Sequence, residues 1–376
     1  MRSTASSLRV LVVACEPSAD RAAARAVDAL RADGPLEAFG VGGPALSAAG
    51  VELLARMEDL AAIGLGDVAA RLGRWSRVWV GLREAARSRR PRVALLVDSP
   101  ELNLPLARVL RAEGTAVVQY VGPQVWAWRR RRLELLRERT NAVALVLPFE
   151  KPLYDAAGVA AQHVGHPLLD EPPAIGRGEV RRRLKVGDAA RLVALLPGSR
   201  ESELRRLAGP LLDAAFRLEN SGVRTLFAPP PGAEKPWSGE IERTGCATPS
   251  ADLRARDLLA ASDAALVASG TATLEAALEG TPLAAVYRLG TLSWLAAGAL
   301  VRVPYVALPS WILGRRAVPE FLQREVDGPS LARAALDLLD PARSRAQRED
   351  LAKVRRRLGG SGAARRVARL VRRVAG

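Results

Sequence analysis

The sequence predicts an α/β protein made of two doubly wound, parallel-sheet domains, and three observations predict it. At 376 residues the chain exceeds one ordinary core, since domains average about 150 residues. Short apolar runs alternate with amphipathic stretches, the rhythm of strand–helix–strand units. That rhythm breaks at Pro167 to Arg177, which carries Pro167, Pro172, Pro173 and Gly176, and then restarts.

In the first half Arg9 to Ala14, Glu37 to Gly42, Val93 to Asp98, Ala116 to Tyr120 and Ala142 to Pro148 read as strands. Ala19 to Ala32 and Gly73 to Ser88 read as helices between them. After the break the strands are Leu192 to Leu196, Arg224 to Ala228, Ala264 to Ala268 and Leu283 to Tyr287. In doubly wound sheets ligands sit beyond the carboxyl ends of the strands, so the residues just after each strand are the ones to inspect. Two such domains imply a cleft.

A hydrophobic content of 49% with only 4% aromatics describes cores built from Ala, Val and Leu. Cys15 and Cys246 lack CxxC or Cys/His spacing, which argues against a disulfide framework or a structural zinc and for a reducing compartment. The apolar run Leu8 to Ala14 ends in charged residues instead of a cleavage site, and is a first strand rather than a signal. Leu289 to Val301 is too short to span a membrane. Trp294, Leu295, Leu300, Trp311, Ile312 and Leu313 fit an acyl-chain surface or a packed core equally well.

The net charge of +16 suits nucleic acid, anionic lipid or phosphorylated substrates alike. Lys353 to Gly376 holds nine cations and no acid, with Val354, Leu358, Val367, Leu370 and Val371 at helical spacing around a Gly359-Gly360 break. It reads as a solvated closing helix or as a membrane-surface contact.

Four post-strand segments carry candidate chemistry. Ser269-Gly270-Thr271-Ala272-Thr273-Leu274-Glu275 is a small-residue turn opening a helix, where free amides suit phosphate oxygens. Thr271 and Thr273 add hydroxyls, and Glu275 lies one turn inside, in reach of ribose. A plain helix cap has the same appearance. Leu196-Pro197-Gly198-Ser199-Arg200 repeats the logic, with Arg200 offering a fork of donors to a diphosphate and Glu203 placed to cap the next helix. Asp98, in Val97-Asp98-Ser99-Pro100-Glu101-Leu102-Asn103, stands where a general base would sit or starts an Asx turn. Glu16, Ser18 and Asp20 line the same cleft or cap the first helix.

Tyr120 to Arg132 gathers Trp126, Trp128 and four consecutive arginines, Arg129 to Arg132. No nucleic-acid motif accompanies them, and an anionic head group fits the loop as well. His166, in Gly165-His166-Pro167, has no companion ligand at metal spacing and suits a hinge or a sugar contact.

Taken in order, these segments resemble the lipid-A-disaccharide synthase family, GT-B type glycosyltransferases of lipopolysaccharide assembly. The resemblance spans nearly the whole chain. It also draws on Gly42-Gly43-Pro44 with Gly50, Ile63-Gly64-Leu65, Trp126-Ala127-Trp128-Arg129, Pro148-Phe149-Glu150, Val164-Gly165-His166-Pro167, and Val318-Pro319-Glu320 with Gln323. It implies an acceptor-binding domain over 1–168, a UDP-sugar-binding domain over 169–350 and a basic C-terminal helix over 351–376 that packs back on the first domain.

The implied reaction passes the sugar of a UDP-linked 2,3-diacylglucosamine to 2,3-diacylglucosamine 1-phosphate with inversion. Asp98 is the implied base and Arg200 the leaving-group partner; no metal or other cofactor is required. Gly198, Ser199, Arg200, Ser269, Gly270, Thr271, Thr273, Glu275, Glu320 and Gln323 are expected on the nucleotide sugar. Glu16, Ser18, Asp20, Asn103, Trp126, Arg129 and His166 are expected on the acceptor. Substrates with acyl chains imply peripheral attachment to the cytoplasmic face of the inner membrane through anionic lipid. Nucleic acid is not expected as a partner, and there is room for a homodimer. Asp59 to Trp79 is the candidate acyl contact, or an ordinary amphipathic core helix.

Three departures from the family pattern stand out. Cys15-Glu16-Pro17-Ser18-Ala19-Asp20 replaces a loop with two glycines, Ser310 replaces an Asn after Leu308-Pro309, and Gln119 replaces the His before Tyr120.

Overall fold

A computed structural model describes residues 7–57, 68–126, 131–230, 232–290 and 304–376, with the backbone alone described over 68–75. The chain forms two compact units, Met1–Glu171 with Gly360–Gly376, and Pro172–Gly359.

The first unit is built on seven parallel strands: β1 (Leu8–Ala14), β2 (Leu36–Gly42), β3 (Glu52–Arg56), β4 (Val93–Val97), β5 (Ala116–Tyr120), β6 (Ala142–Leu145) and β7 (Ala161–His163). Their order is β3-β2-β1-β4-β5-β6-β7, so the winding reverses between β1 and β4. Val10 to Ala14 and Val93 to Val97 are wholly buried, because helices cover both faces of a parallel sheet. This is why these strands read as continuous apolar runs.

The second unit carries five parallel strands: β8 (Leu192–Leu196), β9 (Arg224–Phe227), β10 (Ala264–Ala268), β11 (Leu283–Tyr287) and β12 (Glu320–Leu322). The order β12-β11-β10-β8-β9 places the reversal between β8 and β10. Helices Glu201–Asn220 and Gly328–Leu339 share one core with the sheet, including Leu207, Leu211, Val193, Leu266, Leu331 and Ala335. Arg181, only 1% exposed, fastens helix Arg177–Arg183 to this unit. Its guanidinium donates to the carbonyls of Ala261, Gly187, Asp188 and Ala190 and to the Asp263 carboxylate.

The boundary drawn at 350 from the sequence falls inside helix Pro341–Leu358, which belongs to the second unit. The chain changes units at Gly359-Gly360, and helix Ala363–Ala375 packs against helix Pro17–Ala32 of the first. Asp170 accepts from the amides of Gly362 and Ala364 and so caps this last helix. Arg366 donates to the Val164 carbonyl at 2.7 Å, and Val367, Leu370 and Val371 are buried. No helix among the described residues is long and apolar enough to cross a membrane. The segments Asp59 to Trp79 and Leu289 to Val301 lie largely outside the described residues.

Candidate active site

Ligands of doubly wound sheets collect where the strand order reverses, because adjacent loops there lead to opposite faces and leave an opening. The expected polar segments occupy both reversal points. In the first unit the register Ala14↔Val97 makes Cys15-Glu16 and Asp98-Ser99 neighbours across β1 and β4. In the second, Val267↔Leu196 does the same for Gly198-Ser199-Arg200 and Ser269-Gly270-Thr271.

Asp98 is half-buried and lies in the left-handed region (φ 53°), followed by Ser99 (φ 40°) and faced by Val121 (φ 61°) at the end of β5. Left-handed geometry costs a residue with a Cβ, most of all a β-branched one, so the surroundings must hold it. Asp98 donates its N–H to the Tyr120 carbonyl at 2.8 Å. Its own carbonyl accepts from Asn103 Nδ2 at 2.6 Å and from Gln119 Nε2 at 3.0 Å. Burial pushes the neighbouring Cys15 thiol up to about 12, aided by the charges of Glu16 and Asp98. The thiol is therefore a protonated bystander. Glu16 begins helix Pro17–Ala32 without a side-chain cap, and Ser18 is exposed.

Three other residues expected on the acceptor make contacts within the protein. Asp20 is 2% exposed and its carboxylate accepts from the amides of Gly43, Ala45 and Leu46 at 2.7, 2.9 and 3.2 Å. It caps helix Pro44–Ala48 and holds the Gly42-Gly43-Pro44 turn. Asn103 is wholly buried and acts on the backbone of Val97 and Asp98. His166 is buried, accepts from the Leu168 amide, and is pushed down to about 4 by burial and by His163. It is a neutral cap of the turn Pro167–Asp170.

Trp126 is half-buried, donates Nε1–H to Glu150 at 3.2 Å and meets Phe149 edge-on at 5.4 Å. Burial pushes Glu150 up to about 7, against hydrogen bonds from the Leu147 amide and Trp126. Arg129 lies outside the described residues.

In the second unit Gly198 has φ +102°, and a Cβ there would lie 2.3 Å from Glu203 Oε2. Only glycine lets Glu203 fold back to the Arg200 amide, leaving Ser199 and Arg200 exposed at the loop's crest. Gly270 (φ 144°, ψ −154°) begins helix Thr271–Glu279 and, being glycine, offers no side chain of its own to cap that end. The helix dipole and first-turn amides there favour an anion. Thr271 is exposed and Glu275 half-buried.

Four residues expected on the nucleotide sugar make contacts within the protein. Thr273 is wholly buried and donates its hydroxyl to the Gly270 carbonyl at 2.7 Å. Glu320 accepts from the amides of Val306 and Ala307, both at 3.1 Å, at the start of helix Leu308–Leu313. Ser269 donates to the Val306 carbonyl, so Glu320 and Ser269 grip the same strand of chain. Gln323 pairs its carboxamide with both backbone groups of Leu289. Ser310, 0% exposed, accepts from the Ala317 amide, which gives the Asn-to-Ser departure a packing role.

Gln119 and Glu150 are the residues that sequence reasoning passed over as participants. The signal for Gln119 was a single polar residue inside the apolar run Ala116–Tyr120. Among the described residues no three His, Cys, Asp or Glu converge as a metal-binding set.

A family model described as lipid-A-disaccharide synthetase matches residues 10–374. The lipid-A-disaccharide synthase of Myxococcus xanthus is 40% identical over 369 residues, covering 96% of each chain. That of Anaeromyxobacter dehalogenans is 42% identical over 368 residues with the same coverage. Among solved structures the calicheamicin glycosyltransferase superposes with a TM-score of 0.61 at 17% identity, over 98% of both chains. The glycotransferase of kitacinnamycin reaches 0.63, also at 17%, over 97% of this chain and 98% of the other. Those two likenesses establish the GT-B fold. With two parallel-sheet units whose reversal points carry the polar segments, and with relatives this similar over their full length, the chain belongs to the lipid-A-disaccharide synthase family and is a glycosyltransferase of lipid A biosynthesis.

Proposed function

We propose that the chain transfers the sugar of UDP-2,3-diacylglucosamine to the 6-hydroxyl of 2,3-diacylglucosamine 1-phosphate with inversion, forming a β-1,6 disaccharide and UDP. The observation that supports this most is the division of chemistry between the two reversal points. One ends in a carboxylate held in fixed backbone geometry, the other in a helix opened by glycine with an exposed arginine on the neighbouring post-strand loop. Asp98 takes the hydroxyl proton as the acceptor oxygen attacks the anomeric carbon. The bond from that carbon to the diphosphate breaks, and the electron pair leaves on the β-phosphate. The amides that open helix Thr271–Glu279 and the Arg200 guanidinium stabilise that charge. Gly198, Ser199, Ser269, Gly270 and Glu275 complete the nucleotide grip, and Glu16, Ser18, Trp126 and Arg129 meet the acceptor.

Peripheral attachment at the cytoplasmic leaflet of the inner membrane follows from the acyl chains of both substrates. The charge of +16 and the exposed Arg365 and Arg369 support it, at roughly 1 kcal/mol per basic side chain near anionic lipid.

The test is turnover. Purified protein given both lipid substrates releases UDP, and Asp98→Asn loses about 100-fold or more of that rate while keeping its affinity for UDP. Full activity in Asp98→Asn removes Asp98 as base; UDP release with a different acceptor only removes the substrate assignment.

A further inference from the structure

We infer that Gln119 is a positioning residue for the base: its carboxamide holds Asp98 in the left-handed backbone conformation from which the carboxylate acts. This rests on the reading of Asp98 given above. Gln119 is 1% exposed and so meets no substrate. Its Nε2 lies 3.0 Å from the Asp98 carbonyl, 3.4 Å from that of Tyr120 and 3.3 Å from that of Val121. One amide group thus faces three carbonyls at the ends of β4 and β5, two of them on residues with positive φ. Asn103 approaches the same Asp98 carbonyl from helix Pro100–Ala112. Asp98 is therefore held from a strand on one side and a helix on the other.

The arrangement is costly in a way that stability alone does not explain. Among the described residues the side-chain oxygens of both amides, Asn103 Oδ1 and Gln119 Oε1, are buried without a hydrogen-bond partner. A leucine at either place would leave no such orphan. The backbone they hold is itself in a disfavoured region at Asp98, Ser99 and Val121. Unpaired buried acceptors and strained dihedrals concentrated around one carboxylate are what a site shows when geometry is kept at the expense of stability.

Substitution at 119 separates geometry from packing. Gln119→Leu keeps a buried side chain of similar size and removes both donors. Gln119→His restores a ring N–H donor of comparable reach. The full chain is assayed with both lipid substrates, with UDP affinity and thermal midpoint measured alongside. The expected result for Gln119→Leu is a loss of about 10- to 100-fold in kcat, the scale of a misplacement near 1 Å. The KM for the UDP-sugar and the affinity for UDP stay within about twofold of the parent, since that ligand belongs to the other unit. Gln119→His recovers most of the lost kcat. A merely structural glutamine lowers the thermal midpoint and leaves kcat per folded molecule unchanged, and that result overturns the inference. Equal losses in the Leu and His variants also overturn it, because the donor is then irrelevant.

If Gln119→Leu does not fold, Gln119→Met, which keeps the length of the side chain and removes the donor, decides by the same kcat criterion. Asp98→Asn is run in parallel. An inactive Asp98→Asn beside a fully active Gln119→Leu sinks the positioning role alone, whereas an active Asp98→Asn sinks the base itself.

Discussion

Replacing Glu150 by glutamine should flatten a pH dependence that the native chain carries. Glu150 is 1% exposed and its carboxyl is pushed by burial from 4.5 to about 7. Its folded form therefore holds a proton that the unfolded chain releases. The stability from this group is fully present below pH 4.5 and is lost as pH rises through about 7. At about 1.36 kcal/mol per unit, a rise of about 2.5 units corresponds to on the order of 3 kcal/mol across that window.

His166 acts in the opposite sense. Burial pushes it from 6.5 to about 4, so its stability is present above 6.5 and is lost as pH falls toward 4. The two windows overlap, and the parent alone would show a blurred profile. The difference between parent and Glu150→Gln cancels His166 and every other common group. Glutamine also sets an N–H against either Trp126 or the Leu147 amide, which lowers the baseline by roughly 1–3 kcal/mol without adding a slope.

Hydrogen exchange of the β5 and β6 amides, corrected for intrinsic rates between pH 5 and 8, reads the opening energy of the first unit. The parent should lose its advantage over Glu150→Gln as pH rises. A difference that stays constant within about 1 kcal/mol would refute the argument, because it would mean that Glu150 ionises like an ordinary carboxylate.

Two further expectations concern the second unit. Arg181→Leu removes the donors from four carbonyls and strands part of the Asp263 carboxylate, so the urea midpoint of that unit should fall by the equivalent of about 3–5 kcal/mol. Arg181→Lys should not rescue it, since a point charge cannot reproduce the fork. Gly198→Ala and Gly270→Ala both place a side chain at positive φ, but only the first meets an obstacle, Glu203 at 2.3 Å, while the second opens into space. Gly270→Ala should cost backbone strain of about 1–3 kcal/mol. Gly198→Ala should cost more and should weaken UDP binding at least tenfold by calorimetry; equal effects would show that the Glu203 contact is unimportant.

The central strands were legible because parallel strands covered on both faces need unbroken apolar runs, as in Val93–Val97 and Ala264–Ala268. The strands that escaped notice are β3, β7 and β12, each at a sheet edge. Ala161–His163 and Glu320–Leu322 are three residues long and partly exposed, so neither length nor hydrophobicity sets them apart from loop. At the site, Asp98 announced itself as an acid at a strand end. The backbone contacts of Asp20, Glu320 and Gln323 did not, because a polar residue that binds a ligand and one that binds a distant amide look alike in sequence. The amides Asp20 receives are 23 to 26 positions away, and Gln323 reaches back 34 to Leu289. Only the folded backbone brings such partners together.

The return of helix Ala363–Ala375 to the first unit has a consequence for biosynthesis. This helix leaves the ribosome after every residue of Pro172–Gly359, so the second unit can close while the first still lacks a wall. Until then the face of helix Pro17–Ala32 that meets helix Ala363–Ala375 is left uncovered. A message truncated before Gly360 would yield a well-formed second unit joined to a first that stays open, a species suited to capture by chaperones and to proteolysis. Helix Pro17–Ala32 thus waits for helix Ala363–Ala375 before its unit is sealed.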